Sequence, residues 1–230
     1  MENIVAIIPA AGSGKRMQQD MNKQFLEIGG MTIIERTLLA FENAVSITSV
    51  IVVTKKKEIK LVQDLINQKS IKKVRVVVEG GAERQDSIYN ALKMTTNEDR
   101  WILVHDGARP FVTSASIELF VEALKKSNAL IMAVPTKDTI KRVDSGTVVE
   151  TLNRSELWNV QTPQGFSRND IMMAYEKAQK SNFTGTDDAS LIEWMGKKVE
   201  VHVGSYENIK VTTPDDLYLG EAILRMRGEL

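Results

Sequence analysis

The fold of this 230-residue chain is decided near its N-terminus, where residues 4–16 read IVAIIPAAGSGKR. The apolar run Ile4–Ile8 predicts a buried first strand. The small, glycine-rich loop that follows leaves backbone N–H groups free to point at a phosphate. Arg16 and Lys23 add positive charge where a polyphosphate would lie. The stretch therefore predicts an α/β protein with a nucleotide loop after its first strand.

Two common phosphate loops do not fit this stretch. A dinucleotide fingerprint requires a third glycine where Met17 stands, which disfavours a dinucleotide-dependent oxidoreductase. A Walker loop requires glycine at Pro9 and serine or threonine at Arg16. A tight turn of an ordinary α/β protein remains the alternative for residues 8–16 taken alone.

The composition is that of a globular enzyme. The net charge is zero and 43% of the residues are hydrophobic, which is ample for a core. No clustered basic excess indicates a nucleic-acid partner, and the run Lys55–Lys57 is interpreted as a solvated face. The absence of cysteine excludes disulfides and thiolate metal sites. Without a membrane-length apolar run or a basic leader, we expect a cytoplasmic protein with no membrane partner.

Strands and helices alternate up to residue 135. Strands are predicted at Ile4–Ile8, Val50–Thr54, Val74–Val78, Trp101–Val104 and Ala129–Pro135. The helices between them include a capping box that starts at Thr32 and a helix over 57–67 that buries Leu61, Leu65 and Ile66. This order predicts an α/β fold: a Rossmann-like three-layer sandwich with a mostly parallel central sheet.

The rhythm changes after Pro135. Residues 136–160 alternate polar and apolar around the turn Ser145-Gly146, which predicts a protruding β-hairpin arm with too little apolar content to pack on itself. A rigid turn is predicted at Gln161–Phe166, followed by helices near 168–180 and 187–195. Strands near 198–203 and 208–212 and a last helix capped by Thr213 complete the chain.

Asp106 is the candidate metal ligand, because it ends a strand at the sheet edge where ligands bind. One carboxylate can hold Mg²⁺ against phosphate oxygens, while an ion pair with Arg109 is the structural alternative. In the segment Gly80–Ser87 the glycines allow close backbone approach to a flat ring, and Arg84 and Ser87 share a helix face.

Two further segments allow more than one interpretation. Thr186 is expected to cap a helix whose first turn holds Asp187 and Asp188; the same N–H groups suit a phosphate, which those acids oppose. Lys210, in a short apolar strand, is either an exposed edge residue or a site cation.

Taken together, these pieces resemble the 2-C-methyl-D-erythritol 4-phosphate cytidylyltransferase family. The matching runs span nearly the whole chain in family order: PAAGSGKRM (9–17), NKQF (22–25), GGAERQDS (80–87), HDGARP (105–110), KDTIKR (137–142), TPQ (162–164), TDDAS (186–190) and NIKVTTPDDL (208–217). The resemblance implies cytidylyl transfer from CTP to methylerythritol phosphate with Mg²⁺. It also implies one domain over residues 1–230 and a homodimer in which the arm at about 136–160 crosses to the partner.

The resemblance also implies roles for individual residues. Arg16 and Lys23 would stabilise the triphosphate and, with Lys210 and Arg154, form the catalytic set. The nucleotide-binding residues would be Ala10, Ala11, Gly12, Ser13, Gly14, Lys15, Gly80, Gly81, Arg84 and Ser87. The polyol phosphate would meet Asp106, Arg109 and Thr186, together with Thr139 and Arg154 of the other subunit, and Asp106 would also bind the metal.

The sequence departs from the family pattern at two positions beside the nucleoside. Ala82 stands where some relatives have aspartate, and Gly107 where many have alanine. A ribitol 5-phosphate cytidylyltransferase is the nearest alternative, and a non-catalytic nucleotide-binding regulator is the alternative from another class. The regulator has no need for Arg16, Lys23, Asp106 and Lys210 together.

Overall fold

A seven-stranded sheet forms the centre of the computed structural model, which describes residues 2–12 and 22–230. The strands are β1 Asn3–Pro9, β2 Glu27–Ile28, β3 Met31–Thr32, β4 Ser49–Thr54, β5 Val74–Glu79, β6 Asp99–Val104, β7 Ala129–Pro135, β8 Lys141–Asp144, β9 Thr147–Thr151, β10 Trp158–Ser167 and β11 Glu200–Val203. The helices are α1 Ile33–Asn43, α2 Ile59–Gln68, α3 Arg84–Leu92, α4 Ser114–Ser127, α5 Arg168–Lys180, α6 Asp188–Trp194 and α7 Asp215–Met226.

The sheet order is β11-β7-β10-β6-β1-β4-β5. Neighbouring strands are parallel except β10, which runs antiparallel to both β6 and β7. Side chains of β1 alternate between the two faces: Ile4, Ala6 and Ile8 pack with α1, α2 and α4, and Val5 and Ile7 pack with α3, α5 and α6. The expected three-layer α/β sandwich is therefore confirmed. Among the described residues, no helix is long and apolar enough to cross a bilayer.

The hairpin is present where it was predicted. β8 and β9 pair antiparallel around Ser145 and Gly146, both of which have positive φ. Every residue from Lys141 to Thr151 is exposed, and Val143 and Val148 are each more than half exposed. The hairpin therefore forms a separate two-stranded sheet outside the core of this chain.

Three local predictions are wrong. Residues 161–166 form the middle of β10 rather than a turn; the Thr162–Pro163 bond is cis, and the pairing with β7 is irregular there. Residues 208–212 are extended but unpaired as a strand, although Val211 donates its N–H to the Ala108 carbonyl at 2.8 Å. Leu61 was predicted to be buried in α2, but it is half exposed and Val62 is buried instead. The helix starts at Ile59, and the face that it turns to the core is rotated from the predicted one.

The helix ends lie closer to their predicted positions. Thr32 caps α1 by accepting the Glu35 N–H at 3.2 Å, but the Glu35 carboxylate reaches Lys69 at 2.8 Å instead of closing the box. Asp187, not Thr186, caps α6 and forms a capping box with Ser190. The last helix begins at Asp215, after Pro214.

Helix α4 offers a matched test of packing, because Leu124 is fully buried and Leu119 is 58% exposed. We expect Leu124→Ala to lower the free energy of unfolding by about 2–5 kcal/mol, since it removes a side chain packed under β10. Leu119→Ala should change it by less than about 0.5 kcal/mol. Urea denaturation measures both, and equal losses would contradict this placement of the core.

Candidate active site

A cavity of about 660 Å³ lies beyond the carboxyl ends of β1, β4, β5 and β6. Its walls come from four places: the loop after β1, the Lys23–Phe25 3₁₀ turn with Lys55 and Lys56, the Glu79–Ser87 segment, and the Asp106–Ala108 loop with Lys210 and Thr212. Among the residues that the structure describes, five lysines and arginines and three carboxylates line it. This excess of positive charge suits a polyanionic ligand.

Asp106 is the centre of the charge cluster. Its Oδ2 lies 2.6 Å from Lys210 Nζ and its Oδ1 lies 3.3 Å from Arg84 Nε. Burial alone would raise the pKa of the Asp106 carboxyl, but the charges of Arg84 and Lys210 outweigh it and hold the pKa well below its usual range. The carboxylate is therefore ionised at neutral pH. The structural alternative, a direct ion pair with Arg109, is not formed, and Arg84 and Lys210 hold the two oxygens.

Lys23 lies in the cavity wall, where a backbone carbonyl holds its ammonium group. Its Nζ donates to the Val211 carbonyl at 2.7 Å, although the residue is almost entirely buried. Asn22 caps the 3₁₀ turn, and its amide donates to Glu58 Oε2 at 2.9 Å. Thr54, at the end of β4, donates to the same oxygen at 3.1 Å. Lys23 is thus tied to the sheet through the buried Glu58.

A neutral hydrogen-bond chain lies behind Asp106. The Asp106 N–H donates to Thr162 Oγ at 3.0 Å, and that hydroxyl lies 3.2 Å from His105 Nδ1. His105 Nε2 lies 3.1 Å from the Arg109 carbonyl, so the Nε2–H tautomer satisfies both ring nitrogens. Burial is the main cause that lowers the pKa of His105, to about 4. His105 is therefore a neutral structural residue.

Gly80 and Gly81 leave no room for a side chain. A Cβ on Gly80 would lie 2.8 Å from both Ala11 Cβ and Ser87 Oγ. A Cβ on Gly81 would lie 2.3 Å from Asp86 Cβ. Only glycine allows this close approach between the β5–α3 loop and the loop after β1.

Of the fourteen predicted site residues that the structure describes, nine line this cavity: Ala11, Gly12, Lys23, Gly80, Gly81, Arg84, Ser87, Asp106 and Lys210. Ala10 is buried behind the wall, with its N–H bonded to the Val53 carbonyl at 2.6 Å. Ser13, Gly14, Lys15 and Arg16 lie outside the described residues.

Four predicted residues do not line the cavity within this chain. Arg109 donates to the Asn208 carbonyl at 2.8 Å, and Thr186 is exposed before α6. Thr139 and Arg154 are exposed at the base of the arm, where Arg154 Nη1 donates to the Lys137 carbonyl at 2.8 Å. Their predicted contact with the polyol phosphate stays a prediction.

Sequence reasoning missed several functional positions. Lys55 and Lys56 line the cavity rather than a solvated face. Their position directly after a parallel strand was the available signal. Asp188 was interpreted as a first-turn acid, but it is fully buried and pairs with Arg84. No local pattern distinguishes a buried Asp in a helix N-terminus from an exposed one.

The fold and the site together define a class of protein: an α/β nucleotidyltransferase, in which lysines and arginines surround a cavity of about 660 Å³ with Asp106 in their midst. The sequence profile described as 2-C-methyl-D-erythritol 4-phosphate cytidylyltransferase matches residues 4–226. Relatives of that name are 50% identical over 218 residues in Halalkalibacterium halodurans (95% of each chain) and 47% identical over 225 in Geobacillus kaustophilus (98% of each).

A solved structure, the 4-diphosphocytidyl-2C-methyl-D-erythritol synthase of Anaerococcus prevotii, is similar with a TM-score of 0.86 and 35% identity, covering 97% of this chain and 96% of that one. This chain belongs to the 2-C-methyl-D-erythritol 4-phosphate cytidylyltransferase family.

Acid should destabilise the protein through His105. Its pKa is about 4 when folded against 6.5 as the ordinary value, so the unfolded chain takes up the proton first. The contribution is complete above pH 6.5 and is lost as the pH falls towards 4, by about 3 kcal/mol. Urea midpoints between pH 7.5 and 4.5 measure this loss.

Two variants separate the histidines. His202→Gln should keep most of the acid sensitivity, because His202 is only partly buried on β11. His105→Asn should flatten the dependence between pH 6.5 and 4, whatever its stability at neutral pH. A wild-type slope in His105→Asn would assign the effect to other groups.

Proposed function

We propose that this chain transfers CMP from CTP to 2-C-methyl-D-erythritol 4-phosphate, releasing pyrophosphate and CDP-methylerythritol. The observation that carries the proposal is the cavity that Lys23 lines and in which Arg84 and Lys210 flank the ionised Asp106. Family membership supplies the two substrates. The attacking phosphate is already ionised at neutral pH, so the reaction requires no general base.

Catalysis then depends on position and charge. In an in-line displacement at the α-phosphorus, negative charge grows on the phosphoryl oxygens and on the departing pyrophosphate. Lys23, fixed by the Val211 carbonyl and by the Asn22–Glu58 contact, is a preorganised donor for that charge. Arg16 is proposed to act beside it. Lys210 and Arg109 are proposed to face the acceptor phosphate, with Thr186.

A divalent cation fits this site only together with phosphate oxygens. Among the described residues no group of three or more His, Asp or Glu side chains is placed to hold a metal. Asp106 supplies one carboxylate, and Mg²⁺ commonly binds through one or two carboxylates plus substrate phosphates. Asp106 would hold Mg²⁺, which neutralises phosphate charge when bound. Before the metal arrives, Lys210 and Arg84 keep the carboxylate ionised.

The nucleoside is proposed to lie against the glycine loops. Gly80 and Gly81 expose backbone, and the Gly81 N–H is occupied by Ser87 Oγ at 3.0 Å. Ala11 and Gly12 form the facing wall. Ser13, Gly14 and Lys15 are proposed to bind the nucleotide as well. Ala82 lies at the rim, so base selectivity rests on backbone groups rather than on an aspartate there.

We propose a homodimer whose arm, about residues 136–160, crosses to the partner of a single-domain subunit. Every residue of the arm's hairpin, 141–151, is exposed within this chain, and the hairpin presents Val143, Val148 and Val149 to the surface. A two-stranded hairpin of this size is marginal without a partner surface. Thr139 and Arg154 at its base would then complete the partner's acceptor site. With CTP as donor, a cytoplasmic location is proposed.

Pyrophosphate release tests the reaction. We expect turnover with CTP and methylerythritol phosphate, and much slower turnover when ATP or GTP replaces CTP. Ribitol 5-phosphate is the control acceptor. Equal or faster release with ribitol 5-phosphate would overturn the acceptor, and equal rates with all nucleotides would overturn the base.

Subunit mixing tests the crossed arm. Arg154→Ala and Lys210→Ala homodimers should each be nearly inactive, because every site lacks one cation. After subunit exchange, about half of the dimers are mixed and each has one intact site, so activity should recover to about a quarter of wild type. Arg142→Ala, which changes an arm arginine paired with Glu150 on the arm itself, should stay active. A mixture as inactive as its parents would place Arg154 in its own subunit's site.

A further inference from the structure

Asp188 is a fully buried carboxylate one layer behind the cavity. Its side chain is 0% exposed. Oδ1 and Oδ2 accept from Arg84 Nη1 and Nη2 at 3.2 and 2.8 Å, a two-bond contact. The Tyr175 hydroxyl, also buried, donates to Oδ1. Asp188 thus has hydrogen-bond donors within the protein, and its negative charge is paired with Arg84 rather than with solvent or a ligand.

Arg84 links this buried carboxylate to the site. Its guanidinium is one-third exposed and lines the cavity, with the two Nη atoms turned inward to Asp188. Only Nε remains for Asp106, at 3.3 Å. By binding both Nη atoms, Asp188 orients the guanidinium so that its Nε faces Asp106. Without it, Arg84 would be able to turn both Nη atoms on to Asp106 and occupy the carboxylate that the substrate complex uses.

The support of Asp188 is itself fixed. Gln164, buried in β10, donates to Asp187 Oδ2 at 2.7 Å and accepts the Ala189 N–H at 3.1 Å, which seats the start of α6 on the sheet. Gln85 bonds the Phe183 carbonyl and the Gly185 N–H, each at 3.0 Å. The first turn of α3 and the first turn of α6 thus form one hydrogen-bonded unit.

We propose that Asp188 is a positioning residue for cytidylyl transfer: it holds Arg84 in the wall of the nucleotide cavity and limits its grip on Asp106. The inference rests on the proposed function, because CTP is the ligand whose binding it governs. Asp188 touches neither substrate; it acts through Arg84.

CTP binding in the presence of Mg²⁺, measured by calorimetry without acceptor, tests the proposal. Asp188→Asn should weaken CTP binding about 10-fold or more, the size typical of groups that orient a ligand-binding side chain. Asp170→Asn is the matched control: it changes a first-turn carboxylate of α5 that pairs with Lys197 and does not contact Arg84. It should leave CTP affinity unchanged.

A double-variant comparison separates positioning from general structural support. If Asp188 acts through Arg84, the Arg84→Ala/Asp188→Asn protein should bind CTP as Arg84→Ala does. Equal weakening by Asp188→Asn in both backgrounds, or wild-type affinity in Asp188→Asn, would overturn the proposal. If Asp188→Asn does not fold, Tyr175→Phe replaces it. That variant should weaken CTP binding at least twofold, and wild-type affinity there would overturn the proposal equally. Wild-type protein that fails to bind CTP would instead contradict the proposed function.

Discussion

The site depends on one carboxylate that is shared by cations from two distant parts of the chain. Asp106 lies in the loop after β6, Arg84 begins α3 and Lys210 lies in the extended segment after β11. They meet because the sheet brings these three segments to one edge. Each cation offsets the cost of burying the carboxylate, and the carboxylate in turn keeps the cations from repelling one another. Removing it would leave Lys210 without its carboxylate partner and increase the excess of positive charge in the cavity.

Behind this charged layer, buried polar side chains hold the backbone of the Asp106 loop in place. Thr162 and His105 fix the backbone of Asp106, and Asn208 donates to the Thr162 carbonyl at 2.9 Å while its own carbonyl holds Arg109. A buried network of this kind transmits the position of β10 to the loop after β6. The antiparallel insertion of β10 into a parallel sheet therefore has a local role, because it supplies Thr162 at the edge where Asp106 emerges.

Much of the fold follows from local sequence. Apolar runs located the strands of the parallel sheet up to Pro135, and Ser145-Gly146 located the hairpin, because period and turn chemistry are local properties. The motifs also identified most of the cavity. The failures have long-range causes. Pro163 and Gly165 are turn-forming residues that the pairing with β6 and β7 holds in a strand. Asp188 became a buried ion-pair partner only through Arg84, 104 positions away. Lys55 and Lys56 resembled a solvated run until α3 and the 208–212 segment closed the cavity around them.

The exposed hairpin and the central strands should differ in how their backbone hydrogen bonds open to solvent. Its amides are hydrogen-bonded only within two short strands, whereas those of β1 and β6 lie under two helical layers. Hydrogen exchange should therefore proceed through local opening in the hairpin and through global unfolding in the central strands. Protection of the hairpin amides would become a function of protein concentration if a second copy covers them. Exchange rates of individual hairpin amides would then measure the association state of the protein.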